Sequence, residues 1–129
     1  MRCTLASVDF KNASFFKLKE TNLTEAEELV LPILLDGEEI FNAFRGIRDY
    51  VLFTDKRIIS VNVQGVTGTK KDFTTLPYSH IQSFSVETAG VLDLDSELTL
   101  YFSFGTVKFE FKSSFDIKSF SKFIGNYIL

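Results

Sequence analysis

The sequence has no tryptophan, one cysteine, one methionine and two prolines, and its basic residues do not outnumber its acidic ones. Each scarcity excludes something. A lone Cys3 rules out an internal disulfide, and a chain of 129 residues can bury roughly two-thirds of its unfolded surface without such staples. A reducing, cytoplasmic setting is therefore the expectation. Two prolines and seven glycines leave no room for a Pro/Gly-rich low-complexity segment. Fourteen basic against seventeen acidic residues give a net charge of −3. That balance argues against a general nucleic-acid binder, which needs an excess of Lys and Arg to displace counterions. No apolar run approaches the ~18 residues of a membrane helix. The N-terminal Met1–Asp9 also lacks the ~7-residue apolar stretch of a signal peptide, so none is expected.

What the chain does have is aromatic mass. It carries 15 Phe and 4 Tyr within 45% hydrophobic and 24% charged residues, the profile of a folded globular domain. Without repeats or a linker, residues 1–129 read as one domain. Residues 1–23 show no strong periodicity, although Phe10, Phe15, Phe16 and Leu18 offer something to bury. Thr24-Glu25-Ala26-Glu27 matches a capping box, and Leu29, Val30, Ile33 and Leu34 follow at helical spacing, with Pro32 shortening or kinking the helix. Residues 1–36 are thus expected to form an N-terminal helical extension.

After Gly37 the period changes to two. Apolar runs at 40–44, 50–53, 57–63, 69–76, 81–87, 98–104 and 107–111 alternate with turn compositions and predict about seven antiparallel strands over 37–112. Leu98, Leu100, Phe102 and Phe104 share one strand face, and Val107, Phe109 and Phe111 share the next. Residues 113–129 return to helix, capped by Ser113 or Ser114 and favoured by Asp116, with Ile117, Phe120, Ile124 and Tyr127 in one stripe. Meandering strands closed by one C-terminal helix predict an α+β, mainly β protein: a pleckstrin-homology (PH)-like barrel with a helix across an open end.

The local strings sharpen this. Glu38-Glu39-Ile40, Ala43-Phe44, Arg48-Asp49, Phe53-Thr54-Asp55-Lys56-Arg57, Lys70-Lys71, Pro77-Tyr78, Val86-Glu87-Thr88-Ala89-Gly90 and Asp93-Leu94-Asp95 occur in order. In that order and spacing the chain resembles the bacterial PH domain family, type 1, over roughly residues 20–129, with FTDKR and VETAG carrying most of the specificity. The resemblance implies a PH-like barrel, a C-terminal helix and ring-like homo-oligomers, and it supplies no settled ligand.

Several constellations could carry chemistry. Residues 20–44 hold seven acidic and no basic residues, whereas 45–71 hold six basic and two acidic. Arg45 and Arg48 flank the first turn of the sheet, and Lys70 and Lys71 could rejoin them to clamp an anionic headgroup. The turn Arg45-Gly46-Ile47-Arg48-Asp49 is short for a phosphate cradle, so solvated loop charge or salt bridges between subunits is the plainer reading. Asp93, Asp95 and Glu97 could offer oxygen ligands to a cation, yet the turn glycine and distal Glu of a Ca²⁺ loop are missing. His80 beside Ser79 has no orienting acid, and Cys3 has no partner to lower its pKa. Gly65–Lys70 lacks P-loop spacing. Neither an enzyme, a metal nor a cofactor is therefore expected. Tyr50–Phe53 and Thr99–Phe102 place apolar groups on both strand faces, and a barrel wall needs only one. Tyr50, Phe53, Tyr101 and Phe102 are accordingly expected at an oligomer interface. Self-association is the leading expectation for a partner, a protein ligand or a weakly bound anionic membrane surface the alternatives.

Overall fold

The computed structural model describes residues 12–92, 94–112 and 115–129. Eight strands form one curled sheet: β1 (Asn12–Glu20), β2 (Ile40–Arg45), β3 (Asp49–Thr54), β4 (Arg57–Gln64), β5 (Lys70–Pro77), β6 (Ser83–Glu87), β7 (Ser96–Phe102) and β8 (Gly105–Phe111). Helix α1 (Leu23–Val30) follows β1, and α2 (Ile117–Ile128) ends the fold. The order across the sheet is β5-β4-β3-β2-β1-β8-β7-β6. Hence, among the described residues, the first and last strands in space, β5 and β6, each keep one open edge.

The count of eight corrects the expected seven, and the added strand lies in the segment expected to be a helical extension. β1 pairs antiparallel with β2 but parallel with β8, so the sheet is not wholly antiparallel. The reason β1 escapes a period-two reading is a bulge. Phe15 pairs with Phe109 and Leu18 with Phe111, three steps against two, and Lys17 takes the left-handed conformation at φ 54° to absorb the extra residue. Ala13, Phe15 and Leu18 all bury as a result, with spacings of two and then three. Phe16, also singled out there, points into solvent instead, and Phe10 lies outside the described residues, as does Cys3.

Two cores follow from the curl. Inside it, Phe44, Phe53, Phe109 and Phe111 are fully buried, and α2 lowers Ile117, Phe120 and Ile124 onto them. Phe53 meets Phe44 edge to face at 5.9 Å and Phe120 at 4.9 Å, the geometry the ring quadrupole favours. Outside it, Ala26 and Val30 of α1 cover Ala43, Leu52, Ile59 and Val61. A register shift between Ile40 and Asn42 lets neighbouring residues serve both sides: Ile40 packs under α1, while Phe41 meets Phe123 of α2 at 5.1 Å.

Both helix caps differ from expectation. Asn22, not Thr24, caps α1, its Oδ1 accepting from the Thr24 and Glu25 N–H groups at 2.8 and 3.2 Å. Asp116 caps α2 by accepting from the Ser119 N–H and hydroxyl, and those bonds lower its pKa. Ser113 and Ser114 lie outside the described residues.

Candidate functional site

The FTDKR motif builds structure. Arg57 donates from Nε to Glu38 Oε2 and from Nη2 to Glu38 Oε1, both at 2.9 Å, a bidentate pair. Its Nη2 also reaches the Ile33 carbonyl at 2.7 Å and its Nη1 the Thr75 hydroxyl at 2.8 Å. The Thr54 hydroxyl donates to Glu38 and accepts from the Lys56 and Arg57 N–H groups. Tyr78 closes the cluster by donating to the Thr54 carbonyl at 2.6 Å. The Glu38 side chain is fully shielded from solvent. Burial alone would raise its pKa, but the hydrogen bonds from Arg57, Thr54 and the Leu35 N–H, with the Arg57 charge, hold it down at about 2. Burial pushes the Tyr78 hydroxyl well above the usual tyrosine range. These groups tie the β3–β4 turn to β5 and to the 3-10 turn at Leu31–Ile33.

The opposite end of the β2–β5 meander holds the basic residues. The β2–β3 turn (46–48) and the β4–β5 turn (65–69) meet there, joined by Arg48 Nη2 donating to the Gly65 carbonyl at 2.8 Å. Gly65 and Gly68 supply the left-handed backbone, at φ 79° and 71°, that the second turn requires. Arg45 lies 5.5 Å above the Tyr50 ring and 3.9 Å from Glu25 of α1. Two of the four expected cations are thus engaged within the chain. Lys70 and Lys71 are exposed, and among the described residues Lys71 Nζ reaches only the Gly68 carbonyl, at 3.5 Å. At the turn tips Ile47 and Val66 stand fully out in solvent.

The four expected interface aromatics divide. Phe53 is 0% exposed and Phe102 only 6%, both in the inner core, so neither offers a surface. The second face of β3 is covered from within the chain: Leu52 lies under α1, and Tyr50 donates to Glu25 Oε1 at 3.3 Å. Only Tyr101, 39% exposed, presents its ring to solvent from the outward face of β7. Phe104 also departs from expectation: it sits in the β7–β8 turn, half in solvent, stacked on Phe102 at 4.8 Å.

Other expected constellations disperse. His80 and Ser79 are exposed in a one-turn 3-10 segment. Asp93 lies outside the described residues, and Glu97 pairs with Lys108 at 3.6 Å. Among the described residues no group of three or more His, Cys, Asp and Glu could hold a metal ion. None of the described helices is long and apolar enough to cross a membrane. An open cleft of about 430 Å³ separates β1 and β2 from the start of α2, lined by Glu20, Asn42, Asp116, Ser119 and phenylalanine rings. Its Asp116 is already committed to the helix cap.

Sequence reasoning missed two features. Val91, Leu92 and Leu94 are exposed together in the β6–β7 loop. Their clustering just after Ala89-Gly90, where no strand could bury them, was the available signal. The second is a row of glutamates on the outward face: register places Glu87 opposite Glu97, and Glu97 opposite Glu110. No local pattern reveals it, because the three residues belong to three strands.

Comparison with known proteins agrees with this geometry. The family model described as bacterial PH domain matches residues 9–128. The chain is 52% identical over 77 residues to YjqA, an uncharacterized protein of Bacillus subtilis, an alignment covering 60% of this chain and 62% of that protein. It thus spans under two-thirds of that relative's length. The crystal structure of a protein with a pleckstrin-homology domain from Shewanella loihica PV-4 superposes with a TM-score of 0.76 at 40% identity, covering 88% of this chain and 98% of that one. A PH domain from Shewanella amazonensis SB2B gives 0.64 at 39% identity, covering 84% and 90%.

Proposed function

The chain belongs to the bacterial PH domain family, and from that premise we propose a non-enzymatic binding module that assembles with copies of itself into a closed, ring-like scaffold. One observation carries the reading. The sheet is curled but open, and its two free edges, β5 and β6, are different strands of the same molecule. An open edge is a row of unpaired N–H and C=O groups ready to pair with another strand. When the two complementary surfaces differ, contacts run head to tail and close into a ring if the rotation permits. Exposed Tyr101, next to β6, supports a contact there. The family's generally non-catalytic character and the single cysteine fit a cytoplasmic scaffold rather than an enzyme. Light scattering coupled to size exclusion across the micromolar range tests it: a discrete oligomer is expected, and a monomer at every concentration overturns it.

A second reading has its own support. Ile47 and Val66 project from adjacent turns beside Arg48, Lys70 and Lys71, the pairing of apolar tip and cationic rim that suits an anionic membrane surface. Co-sedimentation with phosphatidylserine-containing vesicles tests it. Binding lost in Ile47→Ser with Lys70→Glu supports it, and binding absent in the unaltered protein overturns it.

A further inference from the structure

Two polar side chains lie on the inner face of the sheet at the mouth where α2 begins, where apolar ones would serve the fold better. Glu20 stands opposite Phe44 across β1 and β2, so the two share a face, and Phe44 belongs to the inner core. Asn42 lies two residues before Phe44 and opposite Phe53, another inner-core ring, so it is on that face as well. Neither the Glu20 carboxylate nor the Asn42 amide has a hydrogen bond or ion pair among the described residues. Both line the cleft of about 430 Å³ described above. From the α2 side it is lined by Asp116, Ser119 and the rings of Phe115 and Phe123. Among the described residues no Lys or Arg lines it. A smaller recess of about 290 Å³ shares Glu20 and Phe115 with the cleft and adds Lys19 and Lys112.

We propose that this cleft binds a guanidinium group, carried by a free arginine-like zwitterion or by an arginine side chain of a peptide. The inference is independent of the self-assembly reading. The volume falls within the ~300–1,000 Å³ of small-ligand sites. Charge decides the sign of the ligand, because two carboxylates with no cation beside them repel an anion and attract a cation. The rings decide its kind. A metal ion such as Ca²⁺ takes about 6–8 oxygen ligands, and no group of three or more metal-ligating side chains occurs among the described residues. An organic cation instead gains attraction from each phenylalanine face it covers. Shape decides between ammonium and guanidinium. A planar guanidinium stacks on a ring while its fork engages a carboxylate, and Asn42 Oδ1 accepts a further N–H. Asp116 accepts two bonds as the α2 cap, and a carboxylate has lone pairs for about four. An anionic group trailing the guanidinium meets Lys19 and Lys112 in the adjoining recess.

Ligand-observed saturation-transfer NMR with arginine and with citrulline, its neutral isostere, tests the site on the whole chain in whatever oligomeric state it takes. Arginine should bind, and citrulline at least ~10-fold more weakly. Glu20→Gln with Asp116→Asn removes both charges while asparagine still caps α2. Arginine binding by that double variant should fall ~10-fold or more, with thermal unfolding unchanged. Asn42→Leu should weaken arginine binding without lowering the unfolding temperature, a split that a merely structural Asn42 would not produce. No binding of arginine, equal binding of citrulline, or a double variant that binds like the unaltered protein overturns the proposal. A capped Gly-Arg-Gly peptide identifies the source of the group. Arginine binding more tightly than the peptide assigns a free zwitterion, and the reverse assigns an arginine side chain; each result supports guanidinium recognition. Failure of this test leaves the light-scattering result on self-assembly untouched.

Discussion

Arg57 and Lys71 lie near opposite ends of the same β4–β5 hairpin, and the chain treats them in opposite ways. Arg57 is drawn inward, its fork divided among Glu38, Thr75 and a backbone carbonyl. Lys71 stays in water with a single long contact to a turn carbonyl. A cation with a shielded carboxylate partner fixes the fold, because neither charge can be removed without stranding the other. A cation on an open strand edge contributes little to folding and remains available to a partner.

The sharpest way to break this contrast is to truncate each in turn. Arg57→Ala leaves Glu38 buried with only Thr54 and a backbone N–H, and should cost about 3–5 kcal/mol in urea unfolding. Lys71→Ala should stay within about 0.5 kcal/mol of the unaltered protein. Aromatic residues repeat the contrast at nearly the same scale. Phe53→Ala should lose about 3–5 kcal/mol, since the inner core cannot collapse around the neighbouring rings of Phe44, Phe109 and Phe120, whereas Tyr101→Ala should barely move the midpoint.

Acid sharpens the comparison further. The folded-state pKa of Glu38 lies near 2, below its ordinary value of 4.5. Its contribution is therefore complete above about pH 4.5 and fades as the pH falls toward 2. At 1.36 kcal/mol per unit the swing is on the order of 3 kcal/mol. Denaturation midpoints measured between pH 2 and 6 should show it, and a Glu38→Leu, Arg57→Met double variant should flatten that slope. The bulge gives a smaller effect of opposite sign. Lys17→Gly should raise stability by up to about 1 kcal/mol, because glycine meets no penalty at φ 54°.

Much of the fold is legible because it obeys short periods. Val107, Phe109 and Phe111 announce a strand by alternation, and Ile117, Phe120 and Ile124 announce the closing helix by their stripe. β1 is not legible, since the residue inserted at Lys17 changes the spacing of its buried side chains. The candidate site divides in the same way. The basic turns are visible as composition, yet Arg45 and Arg48 proved to be held by Glu25 and the Gly65 carbonyl. FTDKR is conspicuous in the sequence, but only the fold shows that its arginine and threonine clasp Glu38, 16 to 19 residues upstream.

By itself, then, the sequence determined the mainly β class, the C-terminal helix, the aromatic core and the family resemblance, since each is encoded in local spacing. It could not determine which face of a two-faced strand meets solvent. The Tyr50–Phe53 strand was apolar on both sides, and only tertiary structure put Phe53 under α2 and Leu52 under α1. Nor could it align Glu87 with Glu97 and Glu110, or leave β5 and β6 as the open edges. Pairing between distant strands is a property of register, and register exists only once the sheet has formed.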